Sequence, residues 1–142
     1  MSLPIKNFTK NKLNQKYLNE IAERTLEVAK FKKPVEISLV ITGEKRIKSL
    51  NKKYRKIDKI TDVLSFGNEE FVGLPDKIIY LGEVFICYPQ AVRQAKQKKH
   101  LTKKELAILL IHGILHLLGY DHKGNYENSE MKILEKKILT VL

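Results

Sequence analysis

"TKKELAILLIHGILHLLG", Thr102 to Gly119, decides how the rest of the chain has to be arranged. Nearly every residue from Leu106 to Leu118 is apolar, so a helix here has little face to give to water and belongs inside, covered on most sides. Its ends are marked as well. Thr102 and Glu105 have the S/T-x-x-E spacing of a capping box, and Gly119 supplies the stop.

The segments around it read as its cover. Lys12 to Lys32 carries Leu13, Tyr17, Ile21 and Val28 at near-helical spacing, which predicts an amphipathic helix. "VEISLVITG" alternates Val35, Ile37, Leu39 and Ile41 with more polar residues and stops at Gly43, the pattern of a strand with one buried face. In the next helix Ile47, Leu50 and Tyr54 share a core face, and Lys45, Lys48, Lys52, Arg55 and Lys56 cluster opposite. "DVLSF" (Asp62 to Phe66) and "IIYLGEVFICY" (Ile78 to Tyr88) predict two further strands, rich in β-branched and aromatic residues. Pro89 can open a short helix with a thin apolar stripe of Ala91, Val92 and Ala95. Asn128 to Leu142 places Met131, Leu134, Ile138 and Val141 on one face of a closing helix. Strands and helices that do not strictly alternate predict an α+β fold: a small mixed β-sheet flanked by helices, with a buried central helix.

With 142 residues and no linker or repeat, the expectation is a single domain over residues 1–142. No stretch is long and uncharged enough to span a bilayer, and the first residues lack the apolar run of a secretory signal, so a cytoplasmic protein is expected. The lone Cys87 rules out an internal disulfide, fits a reducing compartment and reads as a small buried apolar residue. The net charge of +11 is uneven: sixteen of the 27 Lys and Arg residues precede position 61, and Lys45 to Lys59 holds eight of them against one acid, Asp58. A polyanion such as nucleic acid is one partner for that surface; a lysine-rich solvated face is the other reading.

His112 and His116 are four apart on the buried helix, so their side chains leave one face about 6 Å apart and can share an ion. Gly119 lets the chain turn, and His122 can return as a third ligand. Three histidines without a fourth protein ligand describe the open site that zinc uses in catalysis. One zinc per chain is expected, although nickel, copper and iron also accept imidazole. His100 stands outside the cluster and reads as a surface histidine or a substrate contact. Asp121 reads either as a group orienting a ligand or as a turn residue.

The spacing His112, His116, Gly119, His122 is that of the zinc proteases with H-E-x-x-H-x-x-G-x-x-H, but Gly113 stands where their glutamate takes the proton from water. General-base help is worth roughly a hundredfold or more, so a peptidase without it is handicapped. Phosphodiester cleavage asks instead for charge neutralisation at phosphoryl oxygens, work for a cation such as arginine. Gly113 costs about 1 kcal/mol mid-helix relative to alanine. Its missing side chain either admits backbone or substrate or allows close helix packing.

"HGILHLLGYDH" (His112 to His122) resembles the signature of the YbeY family of bacterial rRNA maturation factors, also described as single-strand-specific endoribonucleases. "LNKKYRKIDKITDVLSF" (Leu50 to Phe66), "LGEVFIC" (Leu81 to Cys87) and E-M-x-x-L-E around Glu130 to Glu135 resemble further blocks of that family, in the same order. The resemblance implies zinc held by His112, His116 and His122, a role in processing the 3′ end of 16S rRNA and in ribosome quality control, and the ribosomal subunit and its proteins as partners. It also implicates Arg55 in activity, which suits a guanidinium facing phosphate; a salt bridge to Asp58 or Asp62 is the structural alternative. Thr61, Asp62 and Ser65 match as well but are left outside the site, because a turn beside a cleft explains them.

Two other functions stay open on the sequence: a metal hydrolase of another substrate class, and a non-catalytic rRNA-binding assembly factor with a structural zinc.

Overall fold

The computed structural model describes residues 1–68, 78–120 and 130–140. In chain order the elements are β1 (Ile5–Asn7), α1 (Gln15–Val28), β2 (Val35–Thr42), α2 (Glu44–Arg55), β3 (Val63–Gly67), β4 (Ile79–Cys87), α3 (Tyr88–Lys98), α4 (Thr102–Leu117) and α5 (Glu130–Thr140). The strands form one mixed sheet in the order β1-β2-β4-β3. β2 is parallel to both β1 and β4, and β3 runs antiparallel to β4 along the far edge. The α+β architecture read from the sequence is therefore the observed one, with β1 as an additional three-residue edge strand too short to show a pattern.

β4 organises both faces. Val84 and Ile86 join the large core with α1, α4 and α5, whereas Phe85 packs with Cys87, Ile47 and Leu64 in a smaller cluster beneath α2. That two-residue alternation puts α4 on one side of the sheet and α2 on the other. β2 is more buried than its alternation predicts: Val35, Ile37 and Leu39 to Thr42 are all inside. An inner strand with parallel neighbours is covered on both faces, which suppresses the polar side.

α4 is the buried helix that its composition demands, with Glu105 to Ile111 and Gly113 to Leu115 inside. Its C-terminal stop is a Schellman motif: the Gly119 N–H donates to the His116 carbonyl and the Tyr120 N–H to the Leu115 carbonyl, both at 3.0 Å, with Gly119 at φ +95°. The N-terminus departs from expectation. Leu101 is the N-cap, without a side-chain cap, and Thr102 is already helical. Glu105 turns away from any capping box because a fully buried carboxylate finds stronger donors in and after α3: Gln94 Nε2 at 2.8 Å, Lys98 Nζ at 3.1 Å and His100 Nε2 at 2.7 Å.

Two further departures shape the site. α1 is shorter than Lys12 to Lys32, because the Asn14 side chain caps it by accepting from the Tyr17 N–H at 3.0 Å. In α2, Ile47 and Leu50 face the sheet as expected, but Tyr54 is 56% exposed. The buried position is Asn51, whose Nδ2 donates to the Lys59 carbonyl at 2.9 Å and fastens the chain returning toward β3. The helix ends with Lys56 in the left-handed region at φ 62°, and Tyr54 is left at its rim. The closing helix keeps Met131 and Ile138 buried; Val141 lies outside the described residues.

Candidate active site

Along the edge strand β3 runs a cleft of about 990 Å³, lined by Tyr54 and Arg55 from the end of α2, by Thr61 to Gly67, and by His112, His116 and Leu117 from α4. α4 can present histidines here because this strip is where its burial lapses: Ile111, Gly113, Ile114 and Leu115 are inside, His112 is partly covered, and His116 is exposed. The four-residue spacing read from the sequence thus lands on an open strip in the second half of a helix buried from Glu105 to Ile111.

His112 does not stand alone on that face. Its Nε2 lies 2.6 Å from Oε2 of Glu135, a residue of α5 only 4% exposed. An imidazole N–H donating to a carboxylate fixes ring orientation and tautomer and raises ligand basicity, the pairing that commonly supports metal-binding histidines. In the sequence Glu135 belongs to the family-like block around Glu130 to Glu135 with no task assigned to it, and its signal is a glutamate on the otherwise apolar side of the closing helix.

Gly113 is explained by packing. A Cβ built there would fall 2.5 Å from Cγ1 and 2.9 Å from Cγ2 of Val84, so α4 lies on β4 too closely for any side chain at this position. The Gly113 carbonyl also accepts from Ser65 Oγ at 3.1 Å, which ties α4 to β3. Of the two sequence readings, close helix packing is the one observed. A protease glutamate has no room there.

Arg55 is exposed and, among the described residues, makes no ion pair. Asp58 pairs with Lys48 and Lys52 at 4.0 Å each, and Asp62 Oδ1 accepts from the Val63 N–H at 2.8 Å. The salt bridge considered as an alternative for Arg55 is therefore not formed with either aspartate. Thr61, Asp62 and Ser65, left outside the site on sequence, all line the cleft.

His122 and Asp121 lie outside the described residues. Among the described residues no three His, Cys, Asp or Glu side chains are placed to hold one ion. The donors present, two imidazoles on one helix face with a carboxylate bonded to one of them, have the chemistry that zinc accepts. His100 is not a surface histidine: its side chain is 16% exposed and engaged with Glu105, away from the cleft. Burial would raise the Glu105 carboxyl, but hydrogen bonds from His100, Gln94 and Lys98 outweigh it and hold the group below its ordinary range. Burial pushes the Cys87 thiol up, which keeps it inert, as its apolar surroundings suggest. No helix among the described residues is long and apolar enough to cross a membrane.

The fold and the cleft define an α+β protein with a histidine pair on a buried helix and an exposed arginine from the opposite side of the sheet. A family model described as Endoribonuclease YbeY matches residues 4–142. Relatives carrying that description include one from Dehalococcoides mccartyi, 43% identical over 87% of this chain and 84% of its own, and one from Roseiflexus castenholzii, 42% identical over 84% and 77%. A Thermotoga maritima protein solved in solution superposes with a TM-score of 0.63 at 34% identity, over 96% of this chain and 86% of that one. The chain belongs to the Endoribonuclease YbeY family.

Proposed function

We propose that this protein is an endoribonuclease that cuts single-stranded RNA, acting in the cytoplasm on the 3′ end of 16S rRNA and in ribosome quality control, with one zinc held by His112, His116 and His122. The observation that carries this reading is the shared cleft: Arg55 and the His112–His116 pair come from opposite sides of the sheet and line one cavity. Family membership supplies the reaction class.

The chain's own groups divide the work. Arg55 offers a planar guanidinium to two phosphoryl oxygens and opposes their charge as the scissile P–O bond opens. The lysines of α2 hold neighbouring phosphates, with affinity that falls as salt rises. Glu135 keeps the His112 ring in place. Zinc, when bound, would serve as a Lewis acid and lower the pKa of water toward about 7, which removes the need for the glutamate that Gly113 excludes.

The test pairs wild type with His116→Ala and Arg55→Ala on single-stranded and duplex rRNA fragments, with bound metal quantified in each. Zinc and cleavage lost together in His116→Ala, and cleavage lost with zinc retained in Arg55→Ala, are expected. Equal cutting by all three would refute the assignment.

A further inference from the structure

We propose that Tyr54 is a nucleobase-stacking platform and that it gives the cleft its preference for unpaired strands; this rests on the nuclease reading. Core-forming spacing assigns Tyr54 to the inner face of α2, yet the residue is 56% exposed at the wall of the cleft, next in sequence to Arg55. It is held there from behind. Phe66 meets it edge-on at 5.1 Å between centroids and 62° between planes, and Phe66 in turn meets Phe85 at 5.6 Å and 80°. Phe66 and Phe85 pack on the buried cluster of Ile47, Leu64 and Cys87. The ring is thus anchored to the sheet by its aromatic neighbours, so little conformational freedom remains to be lost when a ligand lands on it.

Its electrostatic setting suits a nucleotide. Lys53 Nζ lies 5.2 Å from the ring centroid, so an aromatic face and two cations, Lys53 and Arg55, occupy three successive positions. Cationic grooves with interleaved aromatic rings are how proteins hold single strands without reading sequence, because every base has a π-face. A base in a duplex already has its faces stacked on neighbours and cannot use the ring without leaving the helix. Phe8, the other exposed large aromatic among the described residues, lies outside the cleft with the Arg46 guanidinium 4.0 Å from its ring centroid. It provides a matched control.

The experiment measures binding and cleavage of a labelled single-stranded oligoribonucleotide and its duplex by zinc-loaded wild type, Tyr54→Ala, Tyr54→Phe and Phe8→Ala. Tyr54→Ala should weaken single-strand binding about ten- to a hundredfold and raise KM more than it lowers kcat, with duplex binding little changed. Tyr54→Phe should restore it, and Phe8→Ala should match wild type. An abasic scan of the oligonucleotide against wild type adds a measurement independent of any variant's folding. One position should cost as much as Tyr54→Ala, and that cost should vanish in the Tyr54→Ala protein. Equal single-strand affinity for wild type and Tyr54→Ala, or a flat abasic scan, overturns the stacking role alone. A wild type that neither binds nor cuts RNA overturns the nuclease reading beneath it.

Discussion

Nε2 of His112 and Oε2 of Glu135 lie 2.6 Å apart, joining the helix that carries the candidate ligands to the last helix of the chain. Lys132 reaches the other oxygen of Glu135 at 3.9 Å, so the carboxylate has a cation on its far side. If the pair supports a metal site from behind, Glu135→Gln should keep the fold and weaken zinc about ten- to a hundredfold, read by competition with a chelator. Glu135→Ala should also cost about 1–3 kcal/mol of stability, because it removes the hydrogen bond between the His112 ring and a buried carboxylate. Zinc that binds more tightly in either variant would mean that Glu135 occupies the ion's place.

Gly113 and Val84 make a second pair whose contact can be tested alone. Gly113→Ala should gain about 1 kcal/mol of helix propensity but, with its Cβ 2.5 Å from a Val84 methyl, lose about 3 kcal/mol to overpacking, a net loss visible as a lower Tm. Val84→Ala removes both methyl groups that the new Cβ would strike. The double variant should then be less unstable than the sum of the two single changes, a coupling that a double-mutant cycle reads directly. Strict additivity would show that α4 is not wedged against β4.

The elements legible in the sequence are those whose pattern and burial agree. α4 could be read because a run of apolar residues with a glycine stop has few alternatives, and the histidine spacing within it was visible for the same reason. The miss at Tyr54 is instructive: at helical periodicity it belongs with Ile47 and Leu50, but Asn51 takes the buried place to hold the Lys59 carbonyl, a contact eight residues away that no local pattern encodes. Glu105 fits a capping box by spacing alone, and the donors that recruit it come from α3 and the residues after it. Likewise, nothing local announces that Glu135 meets His112 across 23 positions. The site is therefore half visible from sequence: the residues that would do chemistry stand in motifs, and those that hold them meet only through the fold.

The basic face of α2 predicts a specific salt dependence. Lys48 and Lys52 are half or more exposed, and their pairing with Asp58 at 4.0 Å is too long and too wet to hold them back from a phosphate. Each phosphate contact on a single strand adds about 0.7 to the slope of log affinity against log salt. Lys52→Gln and Arg55→Gln should each lower that slope by about this amount, whereas Tyr54→Ala should leave it unchanged while reducing affinity. A slope unaltered by either charge removal would place the RNA elsewhere on the surface.

The Glu105 cluster sets an acid limit on stability that is separate from the cleft. Its carboxyl is fully buried, and the hydrogen bonds from His100, Gln94 and Lys98 hold its pKa below the ordinary value of 4.5 despite the opposing effect of burial. A group whose folded pKa is depressed contributes stability that is complete above its unfolded value and is lost as pH falls through the folded one. Glu105 should therefore support the fold at neutral pH and cease to do so as the pH drops from about 4.5 toward that lowered value. Glu105→Gln keeps the shape but loses the charge. At pH 7 it should cost about 1–3 kcal/mol in urea unfolding, since three donors are left facing a weaker acceptor. Below pH 4.5 the two proteins should converge, because the wild type loses a contribution that the variant never had. The two proteins differ only at this side chain, so the difference between the two curves isolates Glu105; a difference that stays constant from pH 7 to pH 3 would show that its charge does not support the fold.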